Sequence, residues 1–535
     1  MNSRIRKLLL YIAGTVAVLL AAGYFIAGPL VRRKVDAGLR QLPPSLRVSY
    51  STIHVGILTG SVVIRGLVVK YAPEAGAMRI GAADPAKAAA ADTTHFHRVT
   101  IDRVAVSGIR FWKLMFSKRF AAGKVLVEGC SADLDQELLE KDLPFPRVEL
   151  PFTTAFVDQV EWKEVRVESH KGERKVASFK GGGEIDSAAF ENESGHWGAM
   201  RLLAEQIRYT IPRAEEVVRV SGLELDSKKR MLSVDTLRIL PLVDKLEMGR
   251  IKGHQVDCIE ATSEGIRVSG LDVTALLKHS LVADEISIRG SKAYVFRDRR
   301  LPLEPGKKPM PAESLRRLPV SVRVRLMKMG PTSFSYEEYP KKGTKTGTLK
   351  IVRLKGTISP LINHPEAGDP AYITMKMEGS LMGSGTVAAT TKVPLHDGAA
   401  YEVEGAFHEL DVTTLNDPAE NLGRIHLESG MLNSLAFWFT MNDEKATGKI
   451  VGEYHDLVVD KLRENNDGKK VDKVKSFFLK KFIIPRDKDH SLKESKRTGK
   501  VDYKHDPDRY FSYYLLHSLL VGVKSSFSLG FLLPG

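Results

Sequence analysis

The residue types that perform catalysis or bind metals are present in this sequence, but their spacing forms no catalytic motif. The GxSxG nucleophile elbow, the HExxH zinc helix and the glycine-rich phosphate loops are all absent. His95 and His97 lie two residues apart beside an Ala-rich stretch, which is weak support for a metal site. We therefore predict that the protein is not an enzyme and that it has no catalytic residues, no metal and no cofactor.

The cysteines and the net charge restrict the remaining classes. Cys130 and Cys258 are too few for a structural zinc site, and the sequence leaves open whether they form a disulfide or stay free thiols. The net charge of +15 favours anionic partners. Charge alone does not separate lipid head groups, lipopolysaccharide and nucleic acid.

An apolar segment near the start predicts a membrane anchor. Residues 8–30 contain no charged side chain, and 23 helical residues span about 34 Å. The run is long for a cleaved signal peptide and no clear cleavage site follows it, so we expect an uncleaved span. Basic residues lie on both sides, and the long remainder favours a short tail inside and the rest of the chain outside.

The chain after this segment alternates apolar and polar residues with a period of two. Such alternation predicts strands with one apolar and one polar face, and the separating Gly, Asn and Asp clusters predict hairpins. We expect a predominantly antiparallel sheet with few helices, chiefly at residues 131–141 and at the C-terminus. The apolar positions that we select as candidates for lining a groove are Ile53, Val55, Ile57, Val320, Val322, Val324, Ile373, Met375, Val403 and Phe407.

Two similar segments indicate an internal repeat. The sequence VAVSGIRFWKLM at 104–115 resembles IRVSGLDVTALL at 266–277, and the strands KVLVEG and EISIRG follow in corresponding places. A repeated unit lengthens a sheet, although meandering strands also resemble one another by chance. We divide the chain into an anchor (1–34), a first β region (35–257) with an Ala-rich loop (72–94), a second, repeat-like region (258–362) and a C-terminal β region (363–535).

Two further segments have more than one interpretation. The lysine-rich residues 469–504 fit either solvated strand edges or contact with anionic lipid head groups. Residues 507–525 predict an apolar helix, with Asp506 as N-cap and Pro507 at its first position. This helix fits a core packed on a sheet, an end plug or a membrane-interface helix.

Several stretches together resemble the AsmA-like proteins of the bacterial envelope. They are the anchor followed by SLRVSYSTIHVGILTGSVVIRGLVVK, the blocks AAYEVEGAFHELDVTTLNDP (399–418) and GRIHLESGMLNSLAFWFTMNDEKATGKIVGEYHDLVVDKL (423–462), and the end DPDRYFSYYLLHSLLVGVKSS. The resemblance covers most of the chain as diffuse patterns without a catalytic motif. It implies an architecture related to TamB and the bridge-like lipid transfer proteins: a long curved sheet with an open hydrophobic groove, anchored in the inner membrane with its body in the periplasm.

The predicted function follows from this resemblance together with the alternation. We expect a protein that binds phospholipid or another anionic lipid and transfers it along the groove, supporting lipid homeostasis of the outer membrane. The expected partners are the inner membrane, lipid and envelope proteins, and nucleic acid is not among them. The alternative is a non-enzymatic periplasmic scaffold or assembly factor for outer-membrane proteins, with closed sandwich cores. A membrane-anchored hydrolase lacks every motif.

Overall fold

The computed structural model describes residues 46–56, 59–71, 96–110, 119–140, 154–191, 194–211, 214–462 and 498–526, with the single positions 39, 113 and 117. Strands account for 66% and helices for 14%, so the predicted mainly-β class is confirmed. The strands form one large mixed sheet of 22 strands that is not closed. The chain divides into two compact units, residues 1–236 (unit 1) and 237–535 (unit 2).

Unit 1 contains the strands from β1 to β10 and one short helix, α1 (Gln136–Glu140). Each strand pairs mainly with the next, except that β1 and β2 both pair with β3 and β8 and β9 both pair with β7. The strands are β1 (Leu46–Ser49), β2 (Thr52–Gly56), β3 (Ser61–Tyr71), β4 (His97–Ser107), β5 (Arg119–Asp135), β6 (Thr154–Lys171), β7 (Arg174–Glu191), β8 (Ser194–Trp197), β9 (Met200–Ile211) and β10 (Glu216–Asp226); β11 (Met231–Pro241) crosses the boundary.

Unit 2 continues the same pattern with longer strands and more helices. Its strands are β12 (Asp257–Ser269), β13 (Ser280–Asp298), β14 (Ser321–Tyr339), β15 (Gly347–Ser359), β16 (Leu361–Ile362), β17 (Tyr372–Leu381), β18 (Gly385–Pro394), β19 (Tyr401–Asp411), β20 (Ile425–Met441), β21 (Lys445–Lys461) and β22 (Thr498–Lys504). Its helices are α2 (Lys245–Lys252), α3 (Val273–Leu277), α4 (Pro311–Arg316), α5 (Asn416–Gly423) after a 3-10 turn (Val412–Leu415), and α6 (Phe511–Ser526).

The internal repeat has a structural counterpart in strand pairing. In both copies an antiparallel pair, β4–β5 or β12–β13, is followed by a parallel pair, β5–β6 or β13–β14. The register agrees as well, because β5 skips a pairing after Ala122 and β13 skips one after Ala283, 161 residues later. The expectation of an antiparallel sheet is therefore correct for most pairs and wrong for these two.

Irregularities within the strands keep apolar side chains on one face. On β3 the buried residues are Val62 and Ile64 before Gly66, but Leu67 and Val69 after it. Gly66 has a positive φ of 60° and interrupts the alternation, as a β-bulge does. Glu164 on β6 and Glu409 on β19 also have positive φ, at 53° each. The period-two pattern therefore changes phase within a strand while the apolar face is preserved.

Three helix predictions have different outcomes. The helix expected at residues 131–141 is wrong in extent, because β5 continues to Asp135 and only Gln136–Glu140 is helical. A C-terminal helix is present, but it begins at Phe511, so Asp506 and Pro507 do not start it. Within the described residues no helix is long and apolar enough to cross a membrane, and the predicted anchor at residues 8–30 lies outside them.

Candidate functional site

The candidate site in unit 1 is the apolar face of its sheet, where the strand registers join side chains of successive strands into rows. One row crosses seven strands and two rows cross eight. All of their residues are apolar except a single glycine, Gly183. They are Val55–Val62–Val106–Val125–Val160–Ile185–Met200, Ile53–Ile64–Val104–Val127–Trp162–Gly183–Leu202–Leu225, and Val48–Val69–Val99–Ala132–Val167–Phe179–Ile207–Val220. At about 4.8 Å per strand, an eight-strand row is about 34 Å long.

Unit 2 has an apolar face built in the same way. Two rows cross ten strands, β12 to β15 and β17 to β22, and contain one polar residue, a threonine. They are Ile266–Ile288–Met329–Gly356–Met377–Ala389–Gly405–Phe437–Ile450–Gly499 and Val268–Ile286–Met327–Ile358–Met375–Thr391–Val403–Phe439–Gly448–Val501.

Glycines in these rows make room for large neighbours on the next strand. A Cβ atom on Gly183 would lie 2.5 Å from Cζ2 of Trp162, and one on Gly405 would lie 2.6 Å from Cζ of Phe437. The large ring therefore lies over the small residue, which keeps the surface of the row level. Pairing of large with small residues is what close packing of such a face requires.

The predicted groove residues mostly lie on these faces. Ile53 and Val55 are in two rows of unit 1 and pack against its core, and Ile57 lies outside the described residues. In unit 2 four predicted residues share the apolar face; Ile373 and Val403 are buried, and Met375 and Phe407 pack against the same core.

The three predicted valines around the start of β14 differ in exposure. Val322 and Val324 are buried, and Val324 pairs with Ala283 as Val157 pairs with Ala122 in the first copy. Val320 precedes the strand and is 38% exposed. The alternation therefore places Val322 and Val324 correctly within a strand, but it does not extend to Val320.

One end of the apolar face in unit 2 is covered by helices. A Cβ atom on Gly522 of α6 would lie 2.6 Å from Cδ1 of Ile450 and 2.8 Å from Cγ2 of Val501, and both of these sheet residues are fully buried. Beside them, the backbone N–H of Ala312 in α4 donates to the Tyr401 hydroxyl at 3.0 Å. The rows are thus closed at β20–β22, whereas Met377, Met329 and Ile288 in the same row are only half-buried.

The apolar face in unit 1 changes exposure in a similar way along its rows. Val62, Ile64 and Val104 are fully buried on β3 and β4. Farther along, Tyr209, which pairs with Ala177, is 45% exposed, and Trp197, which pairs with Ala188, is 48% exposed. Large aromatic side chains on the apolar face therefore reach solvent at β8 and β9.

The opposite face carries charges that are largely compensated between neighbouring strands. Arg103 donates to Glu128 at 2.9 Å, and both Lys124 and Lys163 contact Glu161, at 2.6 and 2.8 Å. Hydrogen bonds from Lys124 and then Lys163 hold the pKa of Glu161 below its usual range. Each exposed pair contributes little stability, but the pairs keep this face polar.

A polar cluster in unit 2 joins β12 and β13 to the residue before α6. Arg297, largely buried, makes two hydrogen bonds of 2.7 Å to the Asp257 carboxylate. Its guanidinium carbon lies 4.8 Å from the ring centre of Tyr510, and the Lys308 ammonium lies 5.4 Å from the same ring. Tyr510 is therefore held by two cations, which stabilises the approach of α6 to β13.

The nucleophilic and metal-binding residue types do not form a site in the described part of the chain. Cys130 and Cys258 are not joined in a disulfide, and burial, followed by the Asp102 charge, raises the pKa of Cys130 to about 11. Burial lowers the pKa of His97, whose Nδ1 accepts from the Asp135 N–H; His95 lies outside the described residues. No group of three or more His, Cys, Asp or Glu side chains there could hold a metal ion.

Sequence reasoning missed several prominent residues of the apolar faces. Trp162, Trp197, Tyr209, Met329 and Phe437 all belong to them. Glycines such as Gly66 and Gly129 stand where the alternation of apolar and polar residues shifts by one position. They were the sequence signal that could have identified these residues, because a glycine inside an alternating strand marks a bulge.

Comparison with known proteins adds no relative. No protein-family model matches the sequence, and no curated protein matches it. The resemblance to AsmA-like proteins therefore stays a prediction that depends on the quoted residues.

Proposed function

We propose that this protein is an inner-membrane-anchored periplasmic protein that binds phospholipid by its acyl chains on the apolar faces and transfers it along them, supporting outer-membrane lipid homeostasis. The observation that carries the proposal is the continuity of the apolar rows from strand to strand, together with the exposure of Tyr209 and Trp197 on that surface. A large apolar surface that is open to water marks an interaction site or a ligand-binding groove.

The dimensions of the rows suit an acyl chain. A row of about 34 Å exceeds the roughly 15 Å that one leaflet contributes to a 30 Å hydrocarbon core. Burial of methylene groups contributes about 0.8 kcal/mol each and has no directional requirement, so the surface would accept chains of different kinds. Because a bilayer shelters the same methylenes, moving a chain onto the apolar face requires no large net change in free energy.

The alternative function, a non-enzymatic scaffold for outer-membrane proteins, has support in unit 2. There Val403 and Phe437 are buried, and α4 and α6 pack over the neighbouring part of the face. A wholly closed core would leave no surface for lipid. The half-buried Met329 and Met377 and the exposed Tyr209 favour lipid binding over this alternative.

The two functions differ in what contacts the apolar face. Strand β9 offers a matched pair of positions, because Tyr209 is 45% exposed on the apolar face and Leu203 is 42% exposed on the polar face. We would place a photo-crosslinking amino acid at each position in the full-length chain and irradiate cells. Phospholipid adducts at residue 209 but not at 203 are expected. Protein adducts alone at 209 would favour the scaffold and refute lipid transfer.

A further inference from the structure

Two pairs of methionines are neighbours on the apolar face of unit 2. The sequence MKM occurs at 327–329 and again at 375–377, and these segments contain four of the 14 methionines of the chain. Strand β15 lies between them, and its Gly356 and Ile358 each pair with one methionine on either side. The two segments are therefore about 10 Å apart, and both apolar rows contain a methionine on each side of β15. The four methionines are Met327, Met329, Met375 and Met377.

The thioethers of these methionines are open to small polar molecules. All four side chains are half-buried, whereas Met248 and Met441 in the same unit are fully buried. Sδ of Met377 lies over Gly356, in the place that a Cβ atom on this residue would take. Met329 and Met377 also line a hollow of about 880 Å³. A small oxidant dissolved in water can therefore reach the sulfur atoms.

The residues around the methionines resist mild oxidation. The other members of the two rows are Ile, Val, Phe, Ala, Gly and Thr, which hydrogen peroxide does not oxidise. The thiols compete poorly, because the raised pKa of Cys130, about 11, leaves little thiolate at neutral pH, and Cys258 is buried. A thioether needs no deprotonation before it reacts. Oxidation of the apolar face of unit 2 is therefore concentrated at the two MKM segments.

We propose that the four methionines are a site of reversible oxidation by hydrogen peroxide, which blocks the passage of lipid along the apolar face; the block rests on the proposed lipid transfer. The thioether sulfur attacks one peroxide oxygen, so that an S–O bond forms and the O–O bond breaks. The other oxygen keeps its hydrogen, takes up the remaining proton and leaves as water. Sulfur loses two electrons and peroxide gains two. A methionine sulfoxide reductase reverses the change with two electrons from a pair of thiols, and the sulfoxide oxygen leaves as water.

The modification changes the surface that an acyl chain has to cross. Methionine is flexible and apolar, whereas its sulfoxide is polar and accepts hydrogen bonds. An acyl chain that covers a sulfoxide removes it from water without offering a donor, which is unfavourable. Because the sulfoxides stand in both rows and on both sides of β15, they form a polar band across the path.

The test measures phospholipid transfer by the full-length chain before and after treatment with hydrogen peroxide. The chain is treated in donor vesicles of saturated phosphatidylcholine, catalase removes the peroxide, and a fluorescent saturated phospholipid is followed into acceptor vesicles. Peptide mass spectrometry locates the sulfoxides, which should form at all four positions before they form at Met248 and Met441. Transfer should slow by at least about tenfold. Methionine sulfoxide reductases of both stereospecificities, supplied with dithiothreitol, should restore the rate.

Two leucine variants separate this site from other methionines, because leucine has a similar volume and is not oxidised. Each variant is judged by the ratio of its transfer rates after and before treatment. The first combines Met327→Leu, Met329→Leu, Met375→Leu and Met377→Leu, and its ratio should be close to one. The matched control replaces three half-buried methionines outside the rows and should remain as sensitive as the wild-type chain; its substitutions are Met231→Leu, Met382→Leu and Met431→Leu.

Three outcomes would overturn the proposal. They are equal slowing of the four-leucine variant and the wild-type chain, an unchanged rate despite sulfoxides at Met329 and Met377, and reaction of Met248 before these two residues. A wild-type chain that transfers no lipid before treatment would instead refute the proposed function, and the block with it. The two failures are distinguishable, because the first three outcomes leave transfer by the untreated wild-type chain intact.

Discussion

A single charge on the open part of the apolar face should block the passage of acyl chains without unfolding the sheet. Tyr209→Asp places a carboxylate on the apolar face at a position that is 45% exposed, so the substitution itself should cost little folding free energy. A charged residue in a hydrocarbon environment costs about 2.5–3.5 kcal/mol. Because residue 209 stays partly hydrated, we expect about half of this, roughly 1.5 kcal/mol, which slows transfer about tenfold.

The assay reconstitutes the full-length chain in donor vesicles and follows a fluorescent phospholipid into acceptor vesicles. Leu203→Asp is the control, because it introduces the same charge on the same strand with similar exposure but on the polar face. Its transfer rate should equal that of the wild-type chain. Equal loss in both variants, or an unchanged rate in folded Tyr209→Asp, would refute the assignment of lipid to the apolar face.

Three further predictions concern stability. Gly183→Ala should destabilise the chain by about 1–3 kcal/mol in urea, because the new Cβ would lie 2.5 Å from Trp162 and 2.6 Å from a backbone oxygen. Asp257→Ala should cost about 3 kcal/mol by the same measurement, because it leaves the largely buried Arg297 without its carboxylate. Burial and neighbouring cations lower the pKa of His517 from 6.5 to about 4, so protonation favours the unfolded chain, and the urea midpoint should fall as pH decreases from 6.5 towards 4.

Each of these predictions has a control within the chain. Gly423→Ala adds the same methyl group where no atom lies within 4 Å, so it should cost much less than Gly183→Ala. Asp257→Ala combined with Arg297→Met should be more stable than Asp257→Ala alone, because the unpaired charge is gone. His517→Gln should reduce the slope of the pH dependence. Equal costs at the two glycines, no recovery in the double variant or an unchanged slope would each contradict its argument.

The local alternation of apolar and polar residues predicted much of the fold. It could not predict where, within a strand, the apolar positions shift by one residue. Ile373, Met375 and Val403 lie on one face of their strands, as the alternation predicts, because their segments contain no irregularity between them and the strand start. Whether two strands pair in parallel or antiparallel was harder to predict from the sequence. Strands β13 and β14 are parallel, although each shows the same alternation as a strand of an antiparallel pair. A parallel pair depends on where the crossover returns, and that is a property of the whole chain.

The exposed tryptophans could not be assigned to a face of the sheet from the sequence for a related reason. Trp197 and Trp438 have similar exposure, but one lies on the apolar face and the other on the polar face. Their faces follow from pairing with Ala188 and Glu404, so they depend on register rather than on neighbours in sequence.

The two copies of the repeat build part of the apolar face in the same way within each unit. In the first copy Val104, Val127 and Trp162 follow one another across β4, β5 and β6; in the second, Ile266, Ile288 and Met329 do so across β12, β13 and β14. Both copies skip the same pairing, and the apolar positions change phase there, from Ala122 to Val125 in the first copy and from Ala283 to Ile286 in the second. A copy without this irregularity would turn half of each strand's apolar side chains to the polar face. The offset between the paired strands stays the same across the skipped pairing. The rows therefore stay continuous, and continuity of the rows is what the proposed transfer of lipid requires.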